Sequence, residues 1–167
     1  MSILQRFRNM GEAVFPLEII PSPEGEKPYF CTPAHADTFA RLGVDGIHFC
    51  IVPHAGCSED ECPVMVVSPE SEEYVYTIAK DITDFLNILV TIKSAGAIEA
   101  AAVRDRAGFQ SYLDALTDCG EGWSVRRPEE VQQDIQETER AAALLRQTFG
   151  LIGLEEDPYQ HIRRNMK

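Results

Sequence analysis

The sequence predicts an α+β fold: a mainly antiparallel sheet of about four to six strands with helices packed against it and a helical C-terminal part. Three observations predict it. Residues 46–52 (GIHFCIV) alternate with period two, and strand-like runs at 64–67 and 74–79 follow, joined by a short polar segment with Pro69. From Asp81 the apolar period changes from two to 3.6. The strand-forming half precedes the helical half, an order unlike the alternation of βαβ units. At 167 residues and 44% hydrophobic content, the chain suits one domain burying roughly two-thirds of its unfolded surface. Residues 1–92 are expected to form the sheet core and 94–166 to be mostly helical.

Taken in order, residues 2–10 place Ile3, Leu4 and Phe7 on one side of a short helix that Gly11 ends. Residues 13–20 are rich in Val, Phe and Ile, but Pro16 cannot donate to a ladder, so this is an edge strand. PSPEGEKP (21–28) is a loop. A short strand is expected at 29–32, then a helix at 34–42 with Ala36, Phe39 and Ala40 on one face and Gly43 at its end. In the strand at 46–52, Ile47, Phe49 and Ile51 point one way and His48, Cys50 and Val52 the other. The loop 53–62 carries three consecutive acids. The connection 68–73 suits a hairpin, making the strands at 64–67 and 74–79 antiparallel.

Asp81 is placed to cap a helix whose face is Ile82, Phe85, Leu86 and Leu89. Residues 95–103 are alanine-rich and helix-prone, and 106–116 repeat the spacing through Phe109, Tyr112, Leu113 and Leu116. Beyond the CGEGW segment (119–123), Pro128 suits a helix's first turn, with Glu129 and Glu130 near its positive end. Val131, Ile135, Ala142, Leu145 and Phe149 line one side of that helix, and Gly150 ends it. Residues 154–166, with Tyr159 and Ile162, close the chain as a short helix or tail.

Charge is the strongest functional signal. The net charge is -12, and no Lys or Arg occurs between Leu42 and Ala79. Seven acids fall in that window: Asp45, Glu59, Asp60, Glu61, Glu70, Glu72 and Glu73. A pI near 4.7 argues against nucleic acid or anionic lipid as a direct partner and for a basic protein. The acids flank adjacent strands with no cation nearby in sequence, so their fields add and can steer a cationic partner. Solvated loops are the simpler account of any charge run. His48, close to Asp45, is either a ligand- or proton-binding residue or a hydrogen-bonded strand histidine. No apolar run approaches the roughly 20 residues of a membrane helix. An odd count of five cysteines and the lack of a secretory leader point to a reducing cytoplasm.

Chemistry has weaker signals. Cys50, His54, Cys57 and Cys62 are soft ligands within thirteen residues, of types that zinc accepts. Their spacing differs from that of structural zinc knuckles, and Cys50 sits mid-strand, where cysteine is usually a buried apolar residue. The P-loop, G-x-S-x-G, H-E-x-x-H and papain- or caspase-like contexts are absent. Neither catalytic residues nor a cofactor are expected. The competing reading is a small-molecule or zinc-binding protein built on those four side chains, with an enzyme among its forms.

The chain resembles the SUKH superfamily, α+β proteins that include bacterial toxin-immunity proteins and the yeast cell-wall-assembly regulator. The resemblance is carried by Gly46-Ile-His-Phe49, by Pro63-Val-Met-Val-Val-Ser-Pro69 and by Ala79-Lys-Asp-Ile-Thr-Asp-Phe-Leu86. A further likeness lies in Leu145-Arg-Gln-Thr-Phe-Gly150 and Asp157-Pro-Tyr159. It covers about residues 39–92 and 144–162, and 1–38 depart from the usual helical N-terminus of the group. The resemblance implies a sheet covered by helices and a non-catalytic role in binding proteins, nuclease toxins among them. The expected partner-binding residues are Asp45, His48, Glu59, Asp60, Glu61, Glu70, Glu72 and Glu73.

Overall fold

A computed structural model describes residues 1–11, 15–24, 26–122 and 125–167. Among these residues five strands form one antiparallel meander in chain order: β1 (Glu18–Ile19), β2 (Asp37–Arg41), β3 (His48–Ile51), β4 (Val64–Val67) and β5 (Val75–Ala79). Pairing runs His48 opposite Val67 and Met65 opposite Thr77, so β4 and β5 form the expected hairpin. In a meander successive connections alternate ends. The β2–β3 turn and the β4–β5 hairpin therefore share one end of the sheet, and the 52–63 connection, with its 3-10 turn Glu59–Glu61, lies at the other.

Phe49, Ile51, Val64, Val66 and Ile78 turn toward the main core, where helix α2 (Ile82–Ile92) packs through Ile82, Phe85, Leu86 and Leu89. Asp81 caps that helix, accepting the Asp84 N–H at 2.7 Å. Ring contacts extend the core: Phe39 meets Phe85 and Phe7 of α1 (Ile3–Arg8) edge-on, and Phe49 meets Phe85 at a tilt. Helix α3 (Ala95–Val103) is buried nearly all round, and its small residues admit close neighbours in α4 (Arg106–Thr117) and α6 (Pro158–Asn165). The long helix α5 (Pro128–Phe149) docks through Val131, Ala142 and Leu145 and ends at Gly150, whose left-handed φ of 66° suits a residue without Cβ. Among the described residues no single helix is long and apolar enough to cross a membrane.

Two expected elements are corrected. Residues 34–42 are not helical: Asp37–Arg41 is strand β2, paired between β1 and β3. Phe39 and Ala40 are both fully buried because the register shifts between Thr38 and Ala40. Such a bulge puts neighbouring apolar residues inside and so imitates helical spacing. Residues 29–32 form a turn and no strand. The Thr32 hydroxyl accepts the Tyr29 N–H at 2.9 Å, and the Thr32 N–H donates to the Tyr29 carbonyl at 3.0 Å, local bonds that displace a ladder. The edge strand expected over 13–20 narrows to Glu18–Ile19, with 13 and 14 outside the described residues. Trp123 of the CGEGW segment also lies outside them.

Candidate functional site

The second face of the sheet carries His48, Cys50 and Val67, all buried. Over His48 runs the segment preceding β2, a proline-bracketed strap. Tyr29 stacks on the His48 ring with centroids 5.7 Å apart, and Phe30 meets Tyr74 edge to face at 5.5 Å. A Cβ at Gly46 would come within 2.5 Å of the Tyr29 ring, and φ there is +67°, so glycine is required on both counts. Between strap, β2 and the β2–β3 turn lies a cleft of about 990 Å³. Arg41 in its wall is already engaged with Glu18, at 2.7 and 2.9 Å.

His48 is thus an anchor beneath the strap, 5% exposed and part of the wall of that cleft. Its Nδ1 lies 2.8 Å from the Gly46 carbonyl and its Nε2 3.0 Å from the Thr32 hydroxyl. A neutral ring with the proton on Nδ1 satisfies both, accepting from Thr32. Burial lowers its pKa below the ordinary histidine value, against the opposing Gly46 bond and Glu26 charge.

The seven acids divide. Asp45 stands in the β2–β3 turn and Glu70, Glu72 and Glu73 in the β4–β5 hairpin, all exposed, around a shared cleft of about 570 Å³. Glu99 of α3 joins them, buried, accepting from the Ser68 hydroxyl at 2.7 Å, and burial raises its pKa. Among the described residues none of Asp45, Glu70, Glu72 and Glu73 is ion-paired. Arg104 and Arg163 also line this cleft, drawn onto the rings of Tyr112 and Tyr159. Glu59, Asp60 and Glu61 belong to the opposite end of the sheet. There Asp60 caps helix α1, accepting the Ile3 N–H at 2.8 Å and the Leu4 N–H at 2.9 Å. Glu61 is bound to the backbone and hydroxyl of Ser58, which hold its carboxyl below the usual range.

Exposed apolar side chains edge the acidic end: Phe30 at 78%, Val44 at 58%, and Tyr29 and Tyr74 beside them. Asp45 and Tyr74 both hold left-handed backbone, at φ 51° and 63°, a conformation costly for residues with a Cβ. Aromatic anchors beside a charged rim are the usual makeup of a protein-binding patch. Tyr29 and Phe30 fall outside every periodic pattern in the sequence. They sit between Pro28 and Pro33 in a polar loop, and that context was the available signal.

The soft ligands also divide. His54, Cys57 and Cys62 converge, their ligand atoms all within 4.8 Å of one another, and the two sulfurs are 3.9 Å apart. Cys50 stands apart from that group, wholly buried between Thr38 and Met65, its thiol pushed up to about 12 by burial and the Asp37 charge. No protein-family model, curated protein or solved structure matches this chain.

Proposed function

We propose that this chain is a cytoplasmic, non-catalytic protein-binding domain of the SUKH kind. In this reading it neutralises or binds a basic protein, such as a nuclease toxin, through one end of its sheet. The observation that carries the reading is the pairing of unpaired acids Asp45, Glu70, Glu72 and Glu73 with the exposed rings of Phe30 and Tyr74. A nuclease presents cations that neutralise phosphates, and an acidic face competes for those cations. Long-range attraction speeds the encounter, while buried rings hold the complex. Glu59 and Glu61 add to the overall field from the far end.

The test is affinity capture from the source cell, then titration of the purified partner at several ionic strengths. The D45K/E72K/E73K variant is expected to weaken binding at least about tenfold and flatten its salt dependence. Phe30→Ala with Tyr74→Ala should raise the dissociation rate with little change in association. Reversal at Glu59 and Glu61 should have a small effect. Unaltered affinity of the first variant would remove this end of the sheet from the mechanism.

A further inference from the structure

We propose that His54, Cys57 and Cys62 form a site for one zinc ion in the loop between β3 and β4, with water completing the coordination. Two zinc–sulfur bonds of 2.3 Å at a tetrahedral angle set the sulfurs about 3.8 Å apart. Cys57 and Cys62 form no disulfide, and their sulfurs stand at 3.9 Å, the Cys62 thiol hydrogen-bonded toward Cys57 and the Ser58 carbonyl; with those protons lost, the same spacing takes an ion between them. A ring nitrogen of His54 lies within 4.8 Å of both sulfurs. His54 Nδ1 lies 3.3 Å from the Val52 carbonyl. A proton held there leaves the Nε2 lone pair for the metal, the arrangement common to zinc-bound histidines.

The loop is held before any ion arrives. The Cys57 N–H donates to the His54 carbonyl at 3.3 Å, the Glu61 N–H to the Ser58 carbonyl at 3.0 Å, and the Glu61 carboxylate takes the Ser58 N–H and hydroxyl. Asp60 ties the same segment to helix α1. Cys62 forms the buried wall and His54 the exposed one, so the fourth position faces the solvent side. Two sulfurs and one nitrogen favour zinc over magnesium or calcium, which prefer oxygen. Both thiols lose their protons on binding, giving a neutral zinc–dithiolate group and releasing two protons per ion. The site is remote from the acidic end of the sheet and stands independently of the protein-binding reading.

The test uses the full chain, reduced with a phosphine, stripped with chelator and dialysed. Zinc uptake is measured by competition with a chromophoric chelator, and cobalt(II) serves as the spectroscopic probe. One equivalent of zinc is expected, and cobalt should give a thiolate-to-metal charge-transfer band with intense tetrahedral d–d bands. Cys57→Ser and His54→Ala should each weaken zinc binding at least about tenfold, while Cys31→Ser and Cys119→Ser leave it unchanged. Cys57 is half-buried and His54 exposed, so both variants should keep the wild-type circular dichroism. Cobalt bound without the charge-transfer band, or zinc affinity unchanged in Cys57→Ser and His54→Ala, overturns the proposal.

Discussion

Replacing Asp60 with alanine separates a structural acid from a presented one. Its half-buried carboxylate accepts the N–H groups of Ile3 and Leu4 at 2.8 and 2.9 Å, two of the donors that the first turn of α1 cannot satisfy internally. Losing a single N-terminal cap costs about 0.5–2 kcal/mol. A second charged acceptor adds about 1 kcal/mol, while water reaching the half-open site returns part of the sum. The expected loss is about 2 kcal/mol. For a chain of this length it lowers Tm by about 4–8 °C and the urea midpoint by about 1 M at unchanged slope. Circular dichroism during thermal and urea unfolding reads both, with Glu59→Gln as the control expected to match wild type. Equal midpoints for Asp60→Ala and wild type would refute the assignment of Asp60 as the bridge between the 3-10 turn and α1. Partner capture by Asp60→Ala should be undiminished at temperatures where it is folded.

Three further outcomes are expected. Because burial depresses the folded-state pKa of His48, the unfolded chain takes the proton first as pH falls below about 6.5. Stability contributed at higher pH is then lost, and His48→Gln should show a shallower fall in urea midpoint over the same acid range. Glu99 has the opposite sign: its folded-state pKa is raised by burial, so stability present at low pH is lost as pH rises through it. Glu99→Gln should therefore raise the midpoint at neutral pH and leave it nearly unchanged near pH 4, a pattern read from urea titrations at both pH values. Arg8, only 5% exposed, pairs with Asp37 and donates to the Ile20 carbonyl at 3.3 Å. Arg8→Met strands that carboxylate and should cost about 3 kcal/mol by chemical denaturation, most of it recovered in the double variant with Asp37→Leu.

Where the chain's signals were local, they were legible. The caps at Asp81 and Gly150, the proline at the start of α5 and the apolar stripes of α1, α2 and α5 each depend on residues within a few turns. The β4–β5 hairpin was legible for the same reason. Strand β2 was not, since its bulge gives a helix-like spacing and its conformation is decided by pairing to both neighbours. The acids were visible as one run-rich window, yet a carboxylate's role depends on what it meets in space. Asp60 meets a helix start 56 residues away in the chain, and Asp45 meets the hairpin acids across two strands.

By itself the sequence determined the α+β class, most helix boundaries and the acidic balance, because these follow from periodicity, capping chemistry and composition. Only the tertiary structure decided that the acids part to opposite ends of the sheet, that His48 lies under a strap and that Cys50 is separated from Cys57 and Cys62. The physical reason is the meander. Successive turns fall at alternate ends, so residues close in the chain are sent apart and distant ones are brought together.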